Sequence, residues 1–430
     1  MKILIKNGYL VDPKNKLDEP MDLLIEDGRV KKVSKKITEK ADQEIDAKGK
    51  IVCPGLIDIH VHLRQPGYEY KETIETGLRA ALKGGITGVC PMANTNPVAD
   101  SRSDMEFMIG ESKRVNLVNL WPVGAVTLRQ EGKELTEFGE LKKGGAIALS
   151  DDGQPITDSN ILRRALSYAK KFGLPILAHC QDEALFCGGC MHEGFVSTKL
   201  GLPGIPVEAE SVEVARDIQL ADLTGGQLHF CHISGRKSLD LIRQAKAQGS
   251  KVTAETCPHY FHLTDESVLH YNTNAKMNPP LRTVEDVAAV KKALKDGTID
   301  VIATDHAPHA ESEKDTEFDQ APFGVIGLET SLPLSLRLVE EKVLTMTQVI
   351  EKMSLNPACV LKIDRGHLSE GAVADVTIFD PHKEWVVEKD KLQSKSKNSP
   401  FLGWKMKGQV TDVWVAGRHI LNNGVIASER

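Results

Sequence analysis

Apolar residues fall in short runs separated by longer amphipathic stretches from residue 53 to residue 365. Eight runs read as strands buried on both faces: 56–62, 86–92, 117–126, 146–150, 175–179, 227–233, 251–256 and 299–304. Helical periodicity lies between them, at 70–83, 158–171, 207–223, 236–247 and 283–295. The first helix stops at Gly84-Gly85, and the second opens on Asp158-Ser159 and stops at Gly173. This alternation predicts a (β/α)8 TIM-like barrel, whose chemistry belongs at the C-terminal ends of the strands.

The flanks carry a different pattern. Residues 2–11, 22–34 and 44–52 are short β segments, the second folding back through Glu26-Asp27-Gly28-Arg29. They are too few to bury a core alone. Matching segments stand at 375–379, 409–416 and 417–420. The expected organisation is therefore a small β-sandwich domain built from both termini, residues 1–52 and 366–430, with the barrel at 53–365 inserted between them. Two polar stretches lack periodicity. Residues 310–320 read as a mobile loop over the barrel mouth that orders around a substrate. Residues 391–398, Lys-Leu-Gln-Ser-Lys-Ser-Lys-Asn, read as a linker, closed back on the body by Asn398-Ser-Pro-Phe-Leu-Gly-Trp404.

Polar residues concentrate at the strand ends. The first strand ends in His60-Val61-His62, and residues two apart on a strand point the same way. The fourth ends in Asp151-Asp152, the fifth in His179, the sixth in His232 and the eighth in Asp305-His306. Neutral imidazole and carboxylate suit zinc and leave a position for water. His60, His62 and Asp305 would hold one ion; His179 and His232 would hold a second or complete the first. Neighbouring strand residues face opposite sides, so one of Asp151 and Asp152 bridges. Asp152 is the expected one, with Asp151 capping. Asp305 is the expected general base. His259 is expected to line the pocket or hydrogen-bond a ligand, and His306 to face away.

Composition narrows the class. Hydrophobic residues make up 41%, charged residues 27%, and net charge is −6, so no basic field exists for nucleic acid. No run is long and apolar enough for a bilayer, and the N-terminus does not read as a signal peptide. The eight cysteines are scattered, Cys53, Cys90 and Cys231 among them, and read as reduced thiols of a cytoplasmic protein. Cys187-Gly-Gly-Cys190 beside His192 has no second CxxC to complete a structural metal site, and Cys180 is expected to pack behind the barrel.

Four stretches carry a family likeness: His60-Val-His-Leu-Arg-Gln-Pro-Gly67, Gly84-Gly-Ile-Thr-Gly-Val-Cys-Pro-Met-Ala-Asn-Thr-Asn-Pro97, Glu255-Thr-Cys-Pro-His-Tyr260 and Ala303-Thr-Asp-His-Ala-Pro-His309. With these the chain resembles the dihydroorotases of the amidohydrolase superfamily over nearly its whole length. The resemblance implies reversible interconversion of dihydroorotate and N-carbamoyl-aspartate in pyrimidine synthesis. One or two Zn2+ ions per subunit assist, and Asp305 carries the proton. It implies that Arg64, on the side of His62 if extension continues, clamps the substrate carboxylate with Asn94. Asn278, His309 and the backbone at Phe323-Gly324 contact the ring, with His62 also near substrate. Many relatives carry a carboxylated lysine at the end of strand four. Here 145–153 has none, which argues against hydantoinase and resembles the branch that uses Asp. A homodimer and association with an aspartate transcarbamoylase are further implications. The alternatives are allantoinase or another cyclic amidase, and a non-catalytic transcarbamoylase subunit that has lost metal ligands.

Overall fold

The computed structural model describes residues 1–427, so 428–430 of the expected C-terminal unit lie outside the described residues. Nine parallel strand segments, two of them halves of the third strand, follow one another around the central domain in chain order. Leu56–Val61, Ile86–Pro91 and Asn119–Leu120 form one ladder. Val123–Gly124, Ala148–Leu149, Ile176–Ala178, Leu228–Phe230, Thr253–Thr256 and Val301–Ile302 form the next. The third strand, expected unbroken across 117–126, is split at Trp121-Pro122 because proline cannot donate to the ladder. The chain still bridges the gap: Trp121 N–H donates to Val89 O (3.0 Å), and Ile147 N–H to Pro122 O (3.0 Å). First and eighth strands meet at the parallel bridge Val61–His306, where His62 N–H donates to His306 O at 2.8 Å. Buried Asp58 stitches this seam, accepting from His60 N–H (3.1 Å) and Thr304 N–H (3.2 Å).

Helices Ile74–Lys83, Ser159–Phe172, Glu208–Thr224, Arg236–Ala247 and Val284–Asp296 lie where the periodicity put them. Asp158 caps the second by accepting from Asn160 and Ile161 N–H, and Gly173 closes it at φ 66°. The first begins at the Thr73 cap, three residues later than expected; ahead of it Glu72 is buried while Tyr70 stays exposed.

Both termini share one sheet. Its path runs Val425–Ile426, Arg418–Asn422, Lys405–Val415, Val376–Val386, Ile51–Pro54, Lys2–Asp12, Leu17–Glu26 and Arg29–Ser34, with Gln43–Asp46 also on Lys2–Asp12. The joint is antiparallel, from Val376 opposite Pro54 to Phe379 opposite Ile51. Ile3, Ile5, Leu23, Ile25, Val376, Ile378 and Trp414 from both ends form a common core. The turn at Glu26-Asp27-Gly28-Arg29 forms as expected, with Asp27 and Gly28 both at positive φ.

Residues 391–398 are not a linker. Ser394, Ser396 and Asn398 are buried. The segment straps the barrel mouth: Ser394 Oγ and Lys395 N–H donate to Glu72, and Ser396 Oγ donates to Lys71 O at 2.6 Å. Gln393 and Ser394 N–H groups donate to Glu329. Its short polar side chains look like a solvated run but satisfy buried groups instead. The 310–320 loop likewise holds a helical turn, Glu311–Lys314. Within it, buried Lys314 donates to the carbonyls of Thr273, Lys276 and Pro322.

Burial pushes Glu329 up to about 7 from an ordinary 4.5, against the pull of the strap's N–H groups. Between these values the folded chain binds a proton that the unfolded chain has lost. Stability therefore falls as pH rises across that window. Denaturant titrations at successive pH values will show this slope in the parent and a flatter one in Glu329→Gln.

Candidate metal centre

His60 lies inside the first strand and His62 one residue beyond it, with ring centroids 5.4 Å apart. His179 follows the fifth strand directly. His232 and Asp305 lie two and three residues past theirs, and each turns into the left-handed region, at φ 35° and 48°. Such backbone costs about 1–3 kcal/mol per non-glycine residue and gathers at functional sites. The turn swings both side chains over the barrel axis.

Asp152 sits at the centre. Its Oδ1 is 3.4 Å from His60 Nε2, His179 Nδ1 and His232 Nε2, and its Oδ2 is 3.4 Å from His62 Nε2. Asp305 Oδ1 lies 2.9 Å from His62 Nε2 and 3.4 Å from His60 Nε2. His179 Nδ1 and His232 Nε2 face each other at 2.8 Å. Asp151 points away and accepts from Val126 N–H, Thr127 N–H and Thr127 Oγ; the fourth strand ends at Leu149, so the two carboxylates part beyond it.

The donors fit a divalent cation. Two groups, His60–His62–Asp305 and Asp152–His179–His232, each keep their ligand atoms within 4.8 Å of one another, and a third, His60–Asp152–Cys231, links them. His60 Nε2 and Asp152 Oδ1 are buried without a hydrogen-bond partner, a costly arrangement for bare polar atoms. Burial disfavours a charged His60, yet Asp152 foremost, then Asp305 and Glu255, hold it well above its ordinary value. Burial would likewise raise Asp152 and Asp305, but the imidazoles, His60 foremost, hold both below the usual carboxylate range. The volume is anionic and asks for positive charge.

Orientation comes from behind the rings. Glu255 Oε1 accepts from His60 Nδ1 at 2.7 Å, which leaves Nε2 bare toward Asp152. Asn94 Oδ1 does the same for His62 Nδ1 at 2.9 Å. Glu255 Oε2 is also 3.2 Å from His229 Nε2.

The remaining candidates line one side. Arg64 does not continue the strand; it sits at φ 61°, so the extension argument fails. Its guanidinium nevertheless turns inward to Pro308 O (3.1 Å) and His309 Nε2 (3.3 Å). His309 Nε2 also lies 2.8 Å from Phe323 O, and Lys71 Nζ is 3.3 Å from His309 Nδ1. Burial, then Arg64 and Lys71, push His309 far down and keep it neutral. At Gly324 (φ 139°) a Cβ would lie 2.7 Å from Ala307 O, so only glycine lets the two segments approach. Asn278 Oδ1 is buried without a partner. A cavity of about 600 Å3 lined by Tyr68, Asn94, Asp152 and Gly153 opens beside them.

Other expectations resolve simply. His306 faces Glu72 (3.3 Å). Cys180 points outward to Asp217 (3.7 Å). His259 is buried beside Tyr260, and burial takes it down to about 3. Cys187 is exposed and Cys190 faces Pro203 O; neither joins a metal-holding group among the described residues.

A family model described as "Dihydro-orotase-like" matches residues 49–238. A dihydroorotase of Geobacter metallireducens is 55% identical over 419 residues, covering 97% of this chain and 99% of that one. One of Geobacter sulfurreducens is 55% identical over 425 residues, covering 99% and 100%, and one of Syntrophus aciditrophicus is 50% identical over 420, covering 97% and 99%. The chain belongs to the dihydroorotase family. In fold it also resembles the L-hydantoinase (dihydropyrimidinase) of Arthrobacter aurescens. That structure is 24% identical, with a TM-score of 0.88 and coverage of 99% of this chain and 97% of that one.

Within this dihydroorotase-family site, sequence reasoning missed Glu255 and Glu72. Each had a signal. Glu255 is a carboxylate inside a strand that is otherwise apolar or small, and Glu72 is fully buried where a helix was expected to begin. Replacing Glu255 by Gln weakens the carboxylate that orients His60. Metal affinity should fall about 10–100-fold, measured by competition with a chromophoric chelator.

Proposed function

We propose that this chain is a zinc-dependent dihydroorotase that opens the ring of dihydroorotate to N-carbamoyl-aspartate, and closes it again, in pyrimidine biosynthesis. The observation that carries the reading is the convergence of four imidazoles and two carboxylates on one buried volume with bare ligand atoms. His60, His62, Asp152, His179, His232 and Asp305 would hold one or two zinc ions, with Asp152 between the two groups. The framework would be a closed barrel at 53–365, inserted in a β unit of 1–52 and 366–430; the seam bridge and the shared sheet support this.

A divalent ion held there supplies Lewis-acid polarisation of the scissile carbonyl and acidifies a water toward neutral pH. The residues do the rest. Asp305, ionised at neutral pH, accepts a proton from the attacking water as the new C–O bond forms. It returns that proton to the ring nitrogen as the C–N bond breaks. In the closing direction it takes the proton from the carbamoyl nitrogen, which attacks the carbon of the carboxyl group, itself protonated from solution, and Asp305 returns its proton to the departing hydroxyl, which leaves as water. Arg64 and the free amide N–H of Asn94 would grip the substrate's own carboxylate, and a guanidinium does so bidentately. Asn278, His309 and the backbone of Phe323-Gly324 would meet the ring.

Zinc content measured beside turnover tests the reading. The parent should hydrolyse dihydroorotate and leave allantoin and hydantoin untouched. Asp152→Ala should lose both metal and rate; full zinc with full rate would remove Asp152 from its place between the groups. Asp305→Asn should lower kcat about 10²–10⁴-fold, and undiminished turnover would reassign the proton carrier.

A further inference from the structure

The wall formed by 306–309 and 323–326 begins as a short parallel ladder, with His306 opposite Val325 and Ala307 N–H donating to Val325 O at 2.8 Å. Past that point backbone pairing ends, although His309 Nε2 still lies 2.8 Å from Phe323 O. Two carbonyls, Ala307 O and Gly324 O, are left facing the same gap.

A side chain from the C-terminal strap fills the gap. Asn398 is 3% exposed. Its Nδ2 donates to both carbonyls, Ala307 O at 3.1 Å and Gly324 O at 3.0 Å. Its Oδ1 accepts from His309 N–H at 3.0 Å, and its own carbonyl accepts from Ile326 N–H at 3.0 Å. A primary amide has two N–H donors and one acceptor oxygen, and here all three are engaged. No other short side chain offers that set: aspartate would face two carbonyls with no donor, and alanine would leave two buried acceptors and one buried donor unmet.

We propose that Asn398 is a positioning residue for substrate binding. It sets the separation and tilt of His309 against Phe323-Gly324 without touching substrate itself. The inference rests on the reading that this wall meets the ring. It assigns the strap a share in specificity, because a ring-shaped substrate must fit against a wall whose two segments one amide ties together. Zinc binding is outside its reach, since none of its partners is among the six ligand candidates.

Steady-state kinetics on the zinc-loaded full chain test it. Asn398→Ala should raise KM for dihydroorotate about tenfold, with kcat and zinc content nearly unchanged. Asn398→Ser, keeping one donor and one acceptor, should fall between, and it supplies the reading if the alanine variant does not fold. Ser394→Ala loosens the same strap away from the wall and should leave KM at the parent value. A merely structural role for Asn398 would lower the active fraction, and hence kcat, with KM untouched. Unchanged KM in both Asn398 variants, or an equal rise in Ser394→Ala, overturns the proposal. His309→Ala separates the two readings. If it raises KM while the Asn398 variants do not, positioning by Asn398 alone is wrong. If it too leaves KM unchanged, the wall is not where the ring binds.

Discussion

Five ligand-type side chains packed around the Asp152 carboxylate, with Glu255 close behind, leave bare polar atoms that are unfavourable by themselves. Buried imidazole nitrogens and Asp152 Oδ1, all without hydrogen-bond partners, have lost their water, and the apolar barrel below offers neither kind of atom a replacement. A cation resolves both at once. Much of the surrounding structure can be understood as what is needed to keep that cluster assembled before the cation arrives. The strand ends bend out of extended geometry at His232 and Asp305, Asp58 ties the seam between first and eighth strands, and Asp151 is turned away to be satisfied by Val126 and Thr127.

Support comes in graded layers. Glu255 and Asn94 take the outer nitrogens of His60 and His62, so the inner nitrogens are left as lone pairs aimed at one point. Behind the eighth strand, buried Glu72 joins His306 to Ser394 and Lys395 of the strap, while Glu329 holds the strap's backbone. The C-terminal strap thus closes over what the barrel segments assemble. The small sheet fixes where the strap starts and ends, because Val376–Val386 and Lys405–Val415 flank it and pair with each other.

The legible part of the sequence was the part governed by periodicity. Strand ends bearing His60, His62, His179, His232 and Asp305 could be found because alternating βα units put them at one rim. Strand alternation said that only one of Asp151 and Asp152 would enter, without saying which, and the strand itself ends at Leu149. Arg64 reached the site for a reason the sequence hid: the strand stops at Val61, and a left-handed residue, not extension, brings the guanidinium in. Pro122 did announce the break in the third strand, and a reading by hydrophobicity alone passed over it.

The strap marks the limit of such reading. Lys-Leu-Gln-Ser-Lys-Ser-Lys-Asn has the composition of a solvated tether, yet its serines and its asparagine are among the most buried polar residues of the molecule. Hydrophobic patterning detects only segments that bury apolar surface. A segment whose task is to satisfy orphaned carbonyls and carboxylates at a mouth buries polar atoms in pairs, and either member of a pair alone looks like surface. Glu72 and Ser394 are 322 positions apart, and only the closed fold reveals them as partners. Function depends on the same pairing. A mouth lined by loops needs an element from elsewhere in the chain to hold its sides at a fixed distance. Here the C-terminal segment supplies it, anchored at both ends by paired strands of the small sheet.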